Sequence, residues 1–199
     1  MYPDIKRAGT EARALLLQQS PPRLPVRVRQ MRFPAHSIII DSLSNFCRIT
    51  HATMAELCAG TDCLRDGCTL ILPGKQGVRY VVLYNEDAVS HRRINFTLAH
   101  ELGHIFLGHK EDGEIEEREA NHFAAELVIP RILAAALLKD LPAKRDPTQA
   151  LAAFFGVSSQ AAKIRRETLF PSLPFCEQEE KLLKRYSPLL RNSQPIVTY

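Results

Sequence analysis

The run His100-Glu101-Leu102-Gly103-His104 constrains the fold of this chain more than any other feature of the sequence. On an α-helix of 3.6 residues per turn, His100 and His104 lie one turn apart on the same face, so both imidazoles can reach one metal ion. Glu101 then lies beside the two histidines as a candidate general base. Zinc accepts two histidines together with further nitrogen or oxygen ligands. The pattern therefore predicts a helix that carries a catalytic zinc site.

The residues around this motif predict a helix that is covered on both sides. An aliphatic stripe recurs at helical spacing on the face opposite the histidines, and it consists of Ile94, Leu98, Leu102 and Ile105. Ala99 and Gly103 are small, so another element can approach the helix closely. A glycine inside a helix costs about 1 kcal/mol relative to alanine, and close packing would offset that cost. The alternative is a core helix whose two histidines are only hydrogen-bonded.

A second helix is predicted from Glu114 to Ile129, with an acidic first turn and an end imposed by Pro130. Its inward face consists of Ala120, Phe123, Ala124, Leu127 and Val128. Glu117 lies about 60° from the middle of this face and Glu119 about 100° from it, on the opposite flank. We predict Glu117 as the third metal ligand and keep Glu119 as the alternative. Asn121, one turn after Glu117, is placed to hydrogen-bond a metal-bound histidine.

Three other candidate ligands are less well placed. In the extended pattern H-E-x-x-H-x-x-G-x-x-H, the third histidine would fall at Lys110 and the glycine at Leu107, so His109 misses that pattern by one residue. Glu116 and Glu126 are expected to be solvated carboxylates or to interact with a helix dipole.

The segments 95–104 and 117–127, followed by Pro130, resemble the ImmA/IrrE family of metallopeptidases. The segment E-x-x-A-N is also similar to the E-x-x-A-D ligand helix of other zinc peptidases, which again selects Glu117. The resemblance covers approximately residues 20 to 170. It implies an α+β, zincin-like fold, in which a small, mainly antiparallel sheet packs on the central H-E-x-x-H helix and on a second ligand helix.

The same resemblance implies a function. It implies an intracellular zinc endopeptidase that cleaves a DNA-binding regulator, often a helix-turn-helix repressor of a phage or mobile element. The expected chemistry is metal-assisted peptide hydrolysis, with Zn²⁺ held by His100, His104 and Glu117 and with Glu101 as the base. Tyr84, His91 and His122 are candidates for stabilising the oxyanion.

Length and composition are those of one ordinary globular unit. The chain has 199 residues, of which 45% are hydrophobic and 24% charged, and its formal net charge is +4. We divide it into an N-terminal helix and linker (1–25), a zincin-like core (26–145), a helix-turn-helix-like segment packed on the core (146–170) and a tail with one amphipathic helix (171–199). It contains neither an apolar run of membrane-spanning length nor a recognisable signal peptide. We expect a cytoplasmic protein.

Residues 68–72 and 78–84 predict a β-hairpin with a five-residue loop, directly before the zinc helix. If the resemblance holds, part of this hairpin pairs with the backbone of the substrate. Ser90 is placed to cap the zinc helix.

Residues 150–166 have the helix, glycine turn and helix order of a helix-turn-helix. Lys163, Arg165 and Arg166 could contact phosphate. The alternative, which the resemblance favours, is that this unit only packs on the peptidase core or grips the substrate protein. An alternative function follows from the first interpretation: a zinc-containing regulator, such as a stress regulator or antitoxin-like protein, that binds DNA or a partner with little peptidase turnover.

Three cysteines, Cys58, Cys63 and Cys68, recur with four residues between them. Structural zinc sites usually have cysteine pairs separated by two residues, and a cytosolic protein rarely forms disulfides. We therefore expect reduced thiols here, with a redox or second-metal role as the alternative.

Overall fold

The computed structural model describes residues 2–57, 66–74, 77–87, 90–111, 113–169 and 175–192. The helices and strands are, in chain order, α1 (Ile5–Gln18), a short 3-10 helix (Val28–Gln30), β1 (Ser37–Ser42), α2 (Leu43–Thr50), α3 (Met54–Leu57), β2 (Gly67–Gly74), β3 (Gly77–Tyr84), α4 (His91–Leu107), α5 (Glu114–Val128), α6 (Arg131–Lys139), α7 (Pro147–Phe155), α8 (Ser159–Thr168) and α9 (Glu177–Asn192). The α+β class is as predicted.

The sheet has three strands in the order β1-β3-β2. β2 pairs with β3 in antiparallel register, with Thr69 opposite Val82, whereas β1 pairs with β3 in parallel register. The sheet is therefore mixed, and β2 lies at one of its edges.

The hairpin loop is shorter than predicted. β2 continues through Pro73, which lies opposite Val78, and ends at Gly74. β3 begins at Gly77. The prediction of a five-residue loop was wrong because β2 extends past Leu72 through Pro73 and Gly74. Proline is tolerated at a sheet edge, where its missing N–H is not needed by a further strand.

α4 occupies the centre of the fold. One side packs on the sheet and the other on α5, and α1 covers α5 in turn. The predicted aliphatic stripe of α4 and the predicted inward face of α5 are both buried, and all of these residues except Ala120 belong to one hydrophobic core that extends from Ala8 to Tyr186. This core therefore includes side chains from the first and the last helix.

The two central helices approach each other most closely at Gly103. A methyl group at that position would lie 2.9 Å from the Cα of Ala120 and 3.1 Å from its carbonyl oxygen, both backbone atoms. The close approach predicted from the small residues of α4 is confirmed. It brings the metal-binding motif of α4 next to the acidic first half of α5.

α4 begins where the sequence predicted. The hydroxyl of Ser90 accepts a hydrogen bond from the backbone N–H of Arg93 at 3.2 Å. This satisfies one of the N–H groups that a helix leaves without a partner in its first turn.

The helix-turn-helix order is present in α7 and α8, which meet at Gly156. Arg165 of α8 is only 6% exposed, and its Nη1 lies 3.3 Å from Oε2 of Glu126 on α5. Glu126 also accepts a hydrogen bond from the N–H of Arg131 at the start of α6. Arg165 is thus directed inward, away from any phosphate, while Lys163 is exposed and Arg166 is half-buried.

These contacts correct two expectations. Arg165 was a candidate for phosphate contact, and its burial against Glu126 removes it from that surface. Glu126 was expected to be solvated or to interact with a helix dipole; it does cap a helix, but it is 2% exposed. The pairing connects α8 to α5, so the helical unit packs on the core.

Of the helices described, none is by itself long and apolar enough to cross a membrane; α5 and α6 meet that criterion only jointly, across a 43° bend.

Candidate metal centre

Three predicted ligands converge where α4 meets α5. The Nε2 atoms of His100 and His104 lie 3.0 Å apart. The Glu117 carboxylate lies 3.4 Å from Nε2 of His100 through Oε2 and 3.3 Å from Nε2 of His104 through Oε1. Within the described part of the chain, this is the group of His, Cys, Asp and Glu side chains with the spacing of a metal site.

These distances fit a metal ion of the zinc type. With metal–ligand bonds of about 2.0–2.1 Å in a tetrahedron, donor atoms lie about 3.3 Å apart. Two histidines and one glutamate form a donor set used by catalytic zinc sites, which leave one position for water or substrate. The side chains of His100 and His104 are 16% and 13% exposed and that of Glu117 is 44% exposed, so the cluster is reachable from solvent.

Asn121 supports His100 as the sequence predicted. Its Oδ1 lies 3.2 Å from Nδ1 of His100. When Nδ1 of His100 donates its hydrogen to this oxygen, the lone pair of Nε2 is left directed at the cluster.

Glu101 lies beside the cluster without belonging to it. Its Oε2 accepts a hydrogen bond from the hydroxyl of Thr69 on β2 at 2.6 Å. The carboxylate is therefore held between α4 and the edge strand β2.

Glu119, the alternative ligand, is directed elsewhere. Its Oε1 accepts a hydrogen bond from the backbone N–H of Asp4 at 2.6 Å, and its Oε2 lies 3.0 Å from Nε2 of His109. Burial acts to raise the pKa of Glu119, but the hydrogen bonds from Asp4 and His109 outweigh it and hold the pKa below its usual value. Glu119 thus does not join the three-residue cluster.

His109 is the site residue whose contacts the sequence did not reveal. Its Nδ1 lies 3.1 Å from Nδ1 of His104, so it contacts the ring nitrogen of this predicted ligand that does not face the cluster. A usable signal was Gly108, because a glycine after the last helical turn often adopts a left-handed conformation and turns the chain back. Gly108 has φ 70° here.

The three oxyanion candidates lie on β3, α4 and α5. Tyr84 is 6% exposed and packs under the guanidinium of Arg29. His91 begins α4, nine residues or roughly 13 Å before His100. His122 is five residues after Glu117, so it lies roughly 140° around α5 and faces α1. The role of these three residues stays a prediction.

The cysteine pattern is only partly described. Cys68 lies on β2 and packs against the small cluster formed by Leu43, Val81 and Leu83. Cys58 and Cys63 lie outside the described residues, so the expectation of reduced thiols stays a prediction.

Residues 65–167 match the peptidase M78 family, described as the IrrE N-terminal-like domain. The chain belongs to this family. The matched region contains β2, β3 and both helices that carry the cluster, so the ImmA/IrrE resemblance and the zincin-like fold are confirmed. A search of curated proteins found no match.

Membership of the M78 family makes this chain a metallopeptidase-family protein. The family match and the spacing of the His100, His104 and Glu117 donor atoms agree on a metal site at the same place.

Proposed function

We propose that this M78 protein is a zinc-dependent endopeptidase that cleaves a DNA-binding transcriptional regulator, with a phage or mobile-element repressor as the substrate class. The convergence of His100, His104 and Glu117 beside a carboxylate that is not a ligand, Glu101, carries the proposal. A site for binding metal alone would not need that additional carboxylate.

The metal ligands, Glu101 and Thr69 have separate roles in the proposed peptide hydrolysis. His100, His104 and Glu117 would hold the ion, which supplies polarisation of the peptide carbonyl and acidification of water. The Glu101 carboxylate accepts a proton from the attacking water and returns it to the nitrogen of the departing amine, a role worth about 10²–10⁴ in rate. Thr69 keeps one oxygen of that carboxylate in place.

The edge strand β2 supports an extended peptide as substrate. β3 pairs with one side of β2, and no strand in the described part of the chain pairs with the other side. An open edge can bind a peptide as an added strand through backbone hydrogen bonds. Since Thr69 of β2 contacts Glu101, a peptide on this edge would pass close to the base.

The choice of a DNA-binding regulator as substrate rests on the ImmA/IrrE resemblance. The competing proposal, that this chain itself binds DNA through α8, is weakened by the burial of Arg165 against Glu126. A formal net charge of +4 over 199 residues gives little further support for nucleic-acid binding.

The test is a comparison of the wild-type protein with Glu101→Gln. Each is assayed for bound zinc and then incubated with the DNA-binding regulator encoded nearest to this chain's gene. Stoichiometric zinc in both proteins and cleavage by the wild type alone are expected. Zinc in both without cleavage would overturn the peptidase proposal, and absence of zinc from both would overturn the ligand assignment.

A further inference from the structure

A continuous chain of polar groups, buried at His109 and Glu119, extends from the candidate metal centre to the start of α1. Nδ1 of His104 lies 3.1 Å from Nδ1 of His109, and Nε2 of His109 lies 3.0 Å from Oε2 of Glu119. The second oxygen of Glu119 accepts the N–H of Asp4 at 2.6 Å. The His109 and Glu119 side chains are 7% and 11% exposed, so water competes little for these contacts.

For neutral imidazoles, the direction of each hydrogen bond in this chain follows from the one at its end. A carboxylate only accepts, so His109 must donate from Nε2 to Glu119. A neutral His109 then has a lone pair on Nδ1, and His104 must donate from its own Nδ1. The lone pair of His104 is thereby left on Nε2, the atom that faces His100 and Glu117.

The end of α4 places His109 for this contact. Gly108, in the left-handed conformation, donates its N–H to the carbonyl of Ile105 at 3.2 Å, and His109 donates its N–H to the carbonyl of His104 at 3.0 Å. This pair of bonds is the Schellman arrangement, which reverses the chain after a helix. His109 is therefore folded back beside the residue that it contacts.

We propose that His109 and Glu119 are positioning residues for the metal centre, and that they hold His104 in the tautomer and ring orientation whose Nε2 accepts a metal ion. This inference rests on the proposed function, because it takes His104 to be a zinc ligand. Metal-bound histidines commonly donate their second N–H to a carboxylate or carbonyl group, and loss of that partner weakens metal binding. Here an imidazole stands between the ligand and the carboxylate.

Three substitutions separate positioning from simple space filling. His109→Phe keeps a buried ring but removes both nitrogens. His109→Gln offers one acceptor and one donor, and so can restore part of the chain. Glu119→Gln keeps the shape, but its single oxygen cannot accept from both Asp4 and His109, so one of the two bonds is lost.

The experiment measures the zinc dissociation constant of each full-length variant by competition with a chromophoric chelator. Thermal unfolding of the metal-free proteins is recorded alongside. We expect His109→Phe and Glu119→Gln to weaken zinc binding about 10- to 100-fold, and His109→Gln to be affected less. Glu114→Gln, on the exposed first turn of the same helix as Glu119, should bind zinc as the wild type does.

Equal zinc affinity in wild type, His109→Phe and Glu119→Gln would overturn this inference while leaving the metal site in place. Failure of the wild type to bind zinc would overturn the proposed function instead. If His109→Phe does not fold, Glu119→Gln decides the matter. An equal loss of affinity in His109→Phe and His109→Gln, with equally lowered unfolding temperatures, would indicate packing and count against positioning.

Discussion

Thr69 donates its hydroxyl hydrogen to Oε2 of Glu101 across 2.6 Å, which connects the edge strand of the sheet to the proposed catalytic base. Thirty-two positions of sequence separate the two residues. One contact therefore orients the base and holds the proposed peptide-binding strand against the ligand helix.

Removal of this hydroxyl should slow cleavage without preventing metal binding. A hydrogen bond to a charged group is worth about 1.5 kcal/mol, so Thr69→Val should lower kcat about tenfold while KM changes little. Thr69→Ser, which keeps the hydroxyl, is the matched control. Steady-state cleavage of the regulator measures the effect, and equal kcat values for Thr69→Val and wild type would contradict it.

Gly103→Ala should destabilise the fold although alanine is the better helix former. The gain in helix propensity is about 1 kcal/mol, whereas the new methyl would lie 2.9 Å from the backbone of Ala120, and overpacking costs typically about 1–3 kcal/mol. Urea unfolding measures the difference. Zinc affinity should also fall, because the two helices that carry His104 and Glu117 must separate.

Gly9→Ala is the matched control for that substitution. Its methyl would lie 3.0 Å from the end of the Arg13 side chain and 3.4 Å from His122, whereas the methyl at Gly103 would meet backbone atoms. The control should therefore cost less stability than Gly103→Ala. A stabilised Gly103→Ala protein with normal zinc affinity would show that the contact between α4 and α5 is less tight than the structure indicates.

Glu126→Gln should cost stability because it leaves two buried guanidinium groups without their counter-charge. Arg13 and Arg165 lie 3.5 Å and 3.3 Å from the Glu126 carboxylate, and all three side chains are at most 12% exposed. Breaking a buried pair by neutralising one partner costs about 3–5 kcal/mol. The free energy of unfolding in urea at neutral pH measures it.

Glu177→Gln provides the comparison for a solvent-exposed ion pair. Glu177 contacts Lys181 at 2.6 Å, but the two side chains are 80% and 62% exposed, so solvent screens the pair and the loss of stability should be much smaller than in Glu126→Gln. Burial raises the pKa of Glu126 against the opposing effect of Arg165 and Arg13. A similarly small loss in Glu126→Gln would therefore mean that Glu126 is already protonated at neutral pH.

His122 should make the fold less stable in mild acid. Burial, followed by the positive charges of Arg165 and Arg13, lowers the pKa of His122 to about 4. The unfolded chain takes up a proton near the ordinary value of about 6.5, while the folded protein does not until about pH 4. The contribution of neutral His122 to the free energy of unfolding is thus complete above about pH 6.5. It is lost, up to about 3 kcal/mol, as the pH falls to about 4.

The measurement is urea unfolding between pH 7 and pH 4.5, at matched metal content, for wild type and His122→Gln. The substitution should flatten the dependence of unfolding free energy on pH. His51→Asn, at an exposed left-handed position where asparagine is tolerated, should leave it unchanged. Identical pH dependence in wild type and His122→Gln would contradict the expected shift.

The sequence alone predicted the two central helices and the three residues of the metal cluster. Repetition every three to four residues is a local property, so it identified the buried stripe of α4, the common face of His100 and His104, and the inward face of α5. Family-like spacing in E-x-x-A-N then favoured Glu117 over Glu119. The structure brings together the same three side chains.

Tertiary structure alone decided the contacts between residues far apart in the chain. Asp4 and Glu119 are 115 positions apart, and neither has a local pattern that predicts their hydrogen bond. The sequence pattern predicts Arg165 as a surface residue of a recognition helix, but the packing of α8 buries it against Glu126. Helical periodicity predicts which side chains share one face of a helix. Which other helix or strand packs on that face depends on how whole elements pack together.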